Sequence, residues 1–267
     1  MPLFQLVLVA LIQGITEFLP VSSSGHLILL PGLTGLDDQG QLIDVSVHVG
    51  TLAAVVIYFR SDVREGLSGL PRLARGRCDT RGARLALGLV IATLPLVAFG
   101  AFLHFTGLSG MLRSIAVIGW TMLGFGLLLY WADQKGSSAR TADDWTPKEA
   151  LKLGLWQMIA LIPGTSRSGI TITGARAMGY GREEGARIAM LMSIPAIIAS
   201  GTLLGMEAAI EANPQVLRDM GIAAVLAMVS AFAALSLMMR LLISVSFTPY
   251  VIYRVILGLV LLAVAYS

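Results

Sequence analysis

The sequence predicts an all-α membrane protein with six transmembrane helices and two oppositely oriented re-entrant helical hairpins in an inverted repeat. Of its 267 residues, 56% are hydrophobic and only 13% are charged, whereas soluble domains usually carry about 25% charged residues. Several apolar stretches are long enough to cross the roughly 30 Å hydrocarbon core of a bilayer as helices. Two further regions combine short apolar runs with polar turns, a pattern that full spans do not show.

The six predicted spans are continuous apolar stretches at about 43–59, 85–105, 112–132, 186–206, 220–243 and 249–266. No Lys or Arg precedes Arg60, so the N-terminal run lacks the basic start of a secretory signal peptide and is interpreted as part of the mature fold. The single cysteine, Cys78, excludes a disulfide within the chain. The sequence has no basic tail with interleaved aromatic residues, which is the pattern that would indicate a nucleic-acid partner.

The two re-entrant hairpins are predicted at about 3–36 and 151–180. In the first, short apolar runs at 3–12 and 26–36 flank a polar turn; in the second, runs at 151–162 and 169–180 do the same. Apolar runs of about 10–14 residues fit re-entrant segments better than full spans. We therefore expect one integral-membrane domain, 1–267, with a first half over 1–132 and a second half over 150–267.

Basic residues predict the orientation of the spans. The segment 60–84 holds seven arginines, which the positive-inside rule assigns to the cytoplasm. Alternation from there places the loop 207–219 outside, so the first hairpin enters from the outer face and the second from the cytoplasm. The stretches LPVSSSG (19–25) and IPGTSRSG (162–169) resemble each other weakly, as the broken helices of an inverted repeat do. Simple recurrence of Pro, Ser and Gly in helix breaks is the alternative interpretation.

The first hairpin contains the most unusual polar residues. Glu17 is a carboxylate deep in an apolar segment, where such residues usually face a cavity or a partner. Gln13 precedes it by four residues and shares its helix face. His26 follows the Pro20 break, which can turn the chain back toward that face. His48, near the outer end of a span, fits a packing role as well as a site role.

The second hairpin contains an anion-binding pattern around Arg167. A guanidinium among hydroxyls, with backbone N–H groups at a helix start, suits a cluster of anionic oxygens. Arginine favours a bidentate clamp on phosphate or carboxylate. The candidate substrate-binding residues of the two turns are Ser22, Ser24, Gly164, Thr165, Ser166, Ser168 and Thr171.

Together the two clusters suit phosphoryl transfer. They offer a clamp for non-bridging oxygens, nucleophiles, and groups that orient the attack or hold a metal. Glu17 and Gln13 could supply oxygen ligands to Mg²⁺ or Ca²⁺, which bind through one or two carboxylates together with substrate phosphates.

Two motifs, QGITEFLPVSSSGH (13–26) and PGTSRSGIT (163–171), resemble the signatures of the bacterial undecaprenyl-diphosphate phosphatase family of the bacitracin-resistance type. The stretch DVSVHVGTLAAVVIYFR (44–60) is also similar, and the likeness covers essentially the whole chain. Gln13 stands where many members have a glutamate, and its amide brings no negative charge to a metal site.

The resemblance implies hydrolysis of a polyprenyl diphosphate lipid, undecaprenyl diphosphate, to the monophosphate, which recycles the carrier lipid of cell-wall synthesis and gives bacitracin resistance. It implies an active site at the outer (periplasmic) face of the cytoplasmic membrane, a divalent cation and a homodimer. Carried over by motif, Glu17 is the essential acid and Arg167 the phosphate-binding arginine, while Ser166 and Thr171 would be diphosphate ligands. Ser23 and His26 are rival candidates for the nucleophile or proton transfer, and a metal-activated water needs neither.

Two other classes of function compete with the enzyme. A transporter or flippase would use opposed re-entrant loops in an inverted repeat, with Arg167 holding the head group and no bond cleaved. A structural membrane subunit would leave Arg167 and Glu17 unexplained. The acid and the imidazole favour the enzyme, because a carrier needs neither a nucleophile nor a proton shuttle.

Overall fold

A computed structural model describes residues 1–35, 39–108, 112, 114–208 and 213–267. Over these ranges the regular secondary structure is helical, apart from one isolated β-bridge between Arg140 and Tyr180. The α-helices are α1 (Leu3–Phe18), α2 (Ser23–Leu27), α3 (Leu29–Thr34), α4 (Gln41–Tyr58), α5 (Arg60–Leu73), α6 (Arg81–Thr106), α7 (Ile115–Lys135), α8 (Pro147–Met158), α9 (Arg167–Ala177), α10 (Arg182–Ala208), α11 (Pro214–Leu241) and α12 (Thr248–Tyr266).

Six of these helices, α4, α6, α7, α10, α11 and α12, are long and apolar enough to cross a membrane. They confirm the six predicted spans and make the chain a multi-pass membrane protein. Their ends differ from the prediction where polar residues continue a helix. The predicted loop 207–219 is largely helical in its described part, since α10 runs to Ala208 and α11 begins at Pro214; residues 209–212 lie outside the described residues.

The basic segment 60–84 was predicted as a loop, and most of it is helix α5. A search for continuous apolar windows misses such a helix because charged residues interrupt its apolar residues along the sequence. Leu67 and Leu70 are exposed on it beside the charged residues, as in helices that lie in the membrane interface.

The first polar turn begins later than predicted. Helix α1 continues through Gln13 and Glu17 to Phe18, instead of ending with the apolar run at residue 12. Proline has no N–H to donate and disfavours helical backbone in the residue before it. Leu19 is accordingly extended, with φ −67° and ψ 142°, and Pro20 ends the helix.

The region of the second predicted hairpin also contains two helices joined by a turn. Helix α8 starts at a capping box, in which the Thr146 side chain accepts from the backbone N–H of Glu149 and the Glu149 carboxylate accepts from the Thr146 N–H. A 3-10 turn, Ile159–Leu161, follows it. The chain then turns through Gly164, whose φ is +84°, and enters α9 at Arg167.

Close helix contacts occur at glycines. Helix α1 packs on α11, α11 on α4, and α8 on α6. A Cβ atom at Gly14 would lie 2.7 Å from the carbonyl oxygen of Ala227, and one at Gly50 would lie 2.1 Å from that of Ala224. Small residues permit such backbone approach between membrane helices, and here they fix α1 and α4, which carry Gln13, Glu17 and His48.

A buried ion cluster joins the far end of α9 to neighbouring helices. The Asp133 carboxylate, almost fully buried, accepts from Arg176 Nε at 3.1 Å and from Arg182 Nε at 2.8 Å. It also accepts from the backbone N–H of Phe247 at 3.1 Å. Helix α7 is thereby tied to α9, α10 and the start of α12, which holds α9 in place behind Arg167.

Candidate active site

The two polar turns share a rare backbone conformation. Ser22 (φ 71°) and Ser166 (φ 70°) are the two non-glycine residues with positive φ in the described part of the chain. Such a residue costs about 1–3 kcal/mol and often marks a functional site. Each of these serines directly precedes a helix, and the residues that start those helices are Ser23 and Arg167.

The turns contact each other directly. The Ser168 hydroxyl donates to the carbonyl oxygen of Leu19 at 3.0 Å. The backbone N–H of Gly164 donates to Ser24 Oγ at 3.3 Å. The structure therefore brings the two predicted clusters together.

Arg254 holds both turns from α12, and it is not among the site residues predicted from the sequence. Its side chain is fully buried, and its guanidinium donates to Thr165 O at 2.9 Å, to Gly164 O at 3.2 Å and to Pro20 O at 3.4 Å. An arginine inside the apolar span 249–266 was itself a signal, since charged residues within membrane helices usually have a specific partner.

An ion pair joins the two clusters at the centre of the site. Arg167 Nη2 donates to Glu17 Oε1 at 2.6 Å, and the two side chains are only 15% and 8% exposed. The other terminal nitrogen, Arg167 Nη1, is buried without a hydrogen-bond partner. Because a buried donor without an acceptor is unfavourable, this nitrogen is available to donate a hydrogen bond to an anionic oxygen.

Polar side chains from α1, α2 and α4 lie around the second oxygen of Glu17. Glu17 Oε2 accepts from Gln13 Nε2 at 2.8 Å and from the Ser23 hydroxyl at 3.2 Å. His48 Nε2 lies 3.9 Å from the same oxygen and 3.1 Å from Gln13 Nε2. The Ser23 hydroxyl proton thus points at a carboxylate, which is the arrangement of a nucleophile beside a base.

The imidazole next to Glu17 is that of His48, whereas His26 was expected to turn back toward the face of Gln13 and Glu17. His26 Nδ1 lies 2.7 Å from the Ser22 carbonyl oxygen, and its Nε2 lies 2.6 Å from the Tyr253 hydroxyl. Since the carbonyl can only accept, Nδ1 carries a proton, and in the neutral ring Nε2 accepts from Tyr253. Tyr253 is not among the residues predicted from the sequence, because the apolar residues around it in α12 are typical of a helix facing lipid.

The remaining predicted ligands are mostly engaged within the protein. Thr171 donates to Arg167 O at 2.8 Å, and Ser166 Oγ accepts from the Gly169 N–H at 3.1 Å. Thr165 Oγ1 is buried without a partner. The hydroxyls of Thr171 and Ser168 must therefore turn before either can donate to a substrate oxygen.

A divalent cation fits this donor set only together with substrate oxygens. Among the described residues, no three His, Cys, Asp or Glu side chains form a metal-binding group. Gln13 Oε1 is buried without a partner and lies on the same side chain that contacts Glu17. An amide oxygen and a carboxylate suit a Mg²⁺ or Ca²⁺ ion whose remaining ligands are substrate phosphate oxygens.

Comparison with known proteins gives a consistent result over the full length. The family model described as "Bacitracin resistance protein BacA" matches residues 6–260. The chain is 73% identical to the "Undecaprenyl-diphosphatase" of Ruegeria sp. (strain TM1040) and 72% identical to that of Ruegeria pomeroyi. Each comparison covers 100% of this chain and 100% of the relative. It is 46% identical to "Undecaprenyl-diphosphatase 1" of Rhodospirillum rubrum, over 100% of this chain and 96% of that protein.

Proposed function

The chain belongs to the bacitracin resistance protein BacA family, and on that premise we propose that it hydrolyses undecaprenyl diphosphate to undecaprenyl phosphate and phosphate. The full-length relatives named undecaprenyl-diphosphatase support this activity. The product is the carrier lipid of peptidoglycan synthesis in its reusable form. Because hydrolysis removes the diphosphate lipid, the same activity gives bacitracin resistance, in agreement with the family description.

One observation carries the catalytic assignment more than any other. Arg167 and Glu17 come from different hairpins, yet they form a buried ion pair that leaves Arg167 Nη1 without a partner. That nitrogen and the orphaned Thr165 Oγ1 provide donors for the non-bridging oxygens of a diphosphate. Donors already in place where negative charge develops are the largest single contribution to many enzymatic rates.

The geometry favours Ser23 as the nucleophile. Its oxygen forms a bond to the terminal phosphorus, its proton moves to Glu17 Oε2, and the bond to the bridging oxygen breaks to release undecaprenyl phosphate. Water then hydrolyses the phosphoserine to phosphate and free Ser23. Direct attack by His26 or by water is the competing route, and the hydrogen bond from Ser23 to Glu17 supports the proposal of Ser23 as nucleophile.

A divalent cation, Mg²⁺ or Ca²⁺, would be held by Gln13 Oε1 and Glu17. When bound, it neutralises charge on the diphosphate oxygens. Ser22, Ser24, Gly164, Ser166, Ser168 and Thr171 line the same pair of turns and are proposed as further diphosphate ligands.

The proposed location is the bacterial inner membrane, with the site open to the periplasmic face and α5 at the cytoplasmic face. The matched turns at Ser22 and Ser166 support an inverted repeat of two re-entrant hairpins. So do the packing pairs: α1 lies on α11 and α8 on α6, while α4 lies on α11 and α10 on α6. If α1 corresponds to α8, α4 to α10 and α6 to α11, exchanging the two halves converts the α1–α11 contact into the α8–α6 contact and the α4–α11 contact into the α10–α6 contact. A homodimer is part of the proposal and is tested by cross-linking of the purified chain.

The experiment is phosphate release from undecaprenyl diphosphate by the purified full chain. We expect release with Mg²⁺ or Ca²⁺, little release with a chelator, and a loss of about 10²–10³-fold in Glu17→Gln. A wild-type chain that binds the lipid but releases no phosphate under any of these conditions would favour the transporter or flippase instead.

A further inference from the structure

His48 contacts the site from α4, and the proposed reaction gives it no role. Its Nε2 lies 3.1 Å from Gln13 Nε2 and 3.9 Å from Glu17 Oε2. Its other ring nitrogen, Nδ1, lies 2.7 Å from the carbonyl oxygen of Asp44. The imidazole therefore joins the backbone of α4 to the side chain of Gln13, which is a proposed cation ligand.

The Asp44 carbonyl determines which ring nitrogen of His48 carries the hydrogen. A carbonyl oxygen can only accept a hydrogen bond, so His48 Nδ1 donates to it. In the neutral ring the other nitrogen, Nε2, then has a lone pair and no hydrogen. His48 therefore presents an acceptor to the amide of Gln13.

Two acceptors determine the orientation of the Gln13 amide. Its Nε2 donates one hydrogen to Glu17 Oε2 at 2.8 Å and the other to His48 Nε2 at 3.1 Å. A rotated amide would place its oxygen against both acceptors and lose both hydrogen bonds, which is unfavourable because Gln13 is fully buried. The amide oxygen, Gln13 Oε1, is therefore directed away from both acceptors, and it has no hydrogen-bond partner.

Helix packing maintains the contact between His48 and Gln13. Gly14 and Gly50 lie close to these two residues in sequence, and each approaches the backbone of α11 so closely that a Cβ atom would clash with it. Helices α1 and α4 are thus both packed on α11, and they also contact each other. The contact between imidazole and amide therefore belongs to the packed interior of the fold.

We propose that His48 is a positioning residue that keeps the amide oxygen of Gln13 available to the divalent cation. The inference rests on the proposed function, in which Gln13 Oε1 and Glu17 hold Mg²⁺ or Ca²⁺. An amide has one oxygen and one nitrogen, and only the oxygen suits such a cation. A carboxylate has two equivalent oxygens, so a glutamate at residue 13 would need no residue to orient it.

The first test measures the tautomer of His48 and does not depend on activity. The chain has 3 histidines, so ¹⁵N-histidine labelling of the purified full chain gives few ring signals in an NMR spectrum, and their loss in His48→Leu identifies those of His48. At a pH where the ring is neutral, we expect the hydrogen on Nδ1. A hydrogen on Nε2 would overturn the proposal, because the Gln13 oxygen would then have to face the ring.

The second test measures cation affinity by isothermal titration of Ca²⁺ into the full chain saturated with farnesyl methylenediphosphonate, a diphosphate analogue that is not hydrolysed. The analogue in detergent alone is the blank. We expect His48→Leu to weaken Ca²⁺ binding about tenfold, as the loss of a residue that orients a metal ligand usually does. His48→Gln keeps an acceptor and should recover most of the affinity.

His104→Leu is the matched control, because His104 is an exposed histidine at the end of α6. It should bind Ca²⁺ as the wild-type chain does. Wild-type Ca²⁺ affinity in His48→Leu would overturn the proposal, and so would a wild-type chain that binds no Ca²⁺ in the presence of the analogue.

A Gln13→Glu background separates positioning from direct binding of the cation. If His48 acts through the amide, His48→Leu should change the Ca²⁺ affinity of the Gln13→Glu chain by less than about twofold. An equal loss in both backgrounds would overturn the proposal and show that His48 is itself a cation ligand.

Phosphate release provides a further readout. In His48→Leu we expect the cation concentration for half-maximal release to rise about tenfold, with kcat at saturating cation within about twofold of the wild-type value. A large loss of kcat that saturating cation does not restore would contradict a role in cation binding alone. Failure of the wild-type chain to release phosphate would contradict the proposed function, whereas the tautomer and the Ca²⁺ titrations would still decide the role of His48.

Discussion

At the scale of single residues, the site depends on side chains that are distant in sequence and in contact in space. Glu17 and Arg167 are 150 residues apart and joined at 2.6 Å. Around them, buried polar atoms without partners occur on Gln13, Thr165 and Arg167. Buried polar groups in folded proteins are nearly always satisfied, so this local excess supports the proposed site for substrate and cation.

The serine route predicts that Ser23→Ala lowers phosphate release by about 10³-fold or more, since it removes the nucleophile whose proton Glu17 accepts. Acid-quenched wild-type enzyme should carry phosphate on Ser23 by mass spectrometry. Ser61→Ala, an exposed serine of α5, is the control. Full turnover by Ser23→Ala would show that His26 or water, and not Ser23, attacks the phosphorus.

Tyr253 is predicted to act through His26. Tyr253→Phe removes the hydroxyl that His26 Nε2 contacts at 2.6 Å and keeps the ring, and we expect kcat to fall by about fivefold with little change in KM, the effect of one hydrogen bond. In a double-mutant cycle the same change should cost almost nothing in the His26→Ala background.

Tyr250→Phe, one turn earlier on α12, is the comparison for this cycle. Equal losses from Tyr253→Phe with and without His26 would show that Tyr253 does not act through the imidazole.

At the scale of the elements, two broken helices are held against each other by backbone contacts. Arg254 donates to carbonyl oxygens of both turns. The Thr121 hydroxyl donates to Pro163 O at 2.6 Å and fixes the entry to the second turn from α7. The turn geometry therefore depends on α7 and α12 as much as on the turn residues.

Gly164→Ala should disrupt the second turn. Its φ of +84° disfavours a side chain, and the new Cβ would lie 2.2 Å from Thr121 Oγ1 and 2.6 Å from Ile118 O. We expect a loss of more than about 1 kcal/mol in stability, with loss of phosphate release. Thermal unfolding in detergent and the release assay measure both.

Gly124→Ala is the matched control on α7, because a Cβ there has open space around it. It should keep activity and gain about 0.5–1 kcal/mol in stability. Wild-type turnover in Gly164→Ala would show that the close turn is not required.

At the scale of the whole molecule, the sequence was sufficient for the six spans and for the second polar turn, whereas the first polar turn begins later than predicted because α1 continues to Phe18. Apolar length and helix-breaking residues determine both. Helix α5 was missed because its apolar residues do not form a continuous run. The contacts of His48, Tyr253 and Arg254 were missed because they depend on how α4 and α12 rotate against the turns, which residue spacing along one helix does not determine.

The proposed orientation predicts the accessibility of Cys78, the single cysteine of the chain, which is exposed after α5. A membrane-impermeant maleimide should label it in inverted membrane vesicles and not in cells whose outer membrane alone has been permeabilised. A Cys78→Ser, Ser114→Cys variant, with its cysteine at the start of α7, should show the opposite pattern. Labelling of Cys78 from the periplasm would reverse the orientation.

In the proposed function, the two turns form one diphosphate site through Arg167. Its most direct test is the kcat for phosphate release from undecaprenyl diphosphate in Arg167→Gln, measured beside Arg64→Gln. We predict a fall of about 10²–10³-fold in Arg167→Gln, the cost of losing a donor to developing charge, and wild-type turnover in Arg64→Gln. Undiminished turnover by a folded Arg167→Gln enzyme would contradict the account.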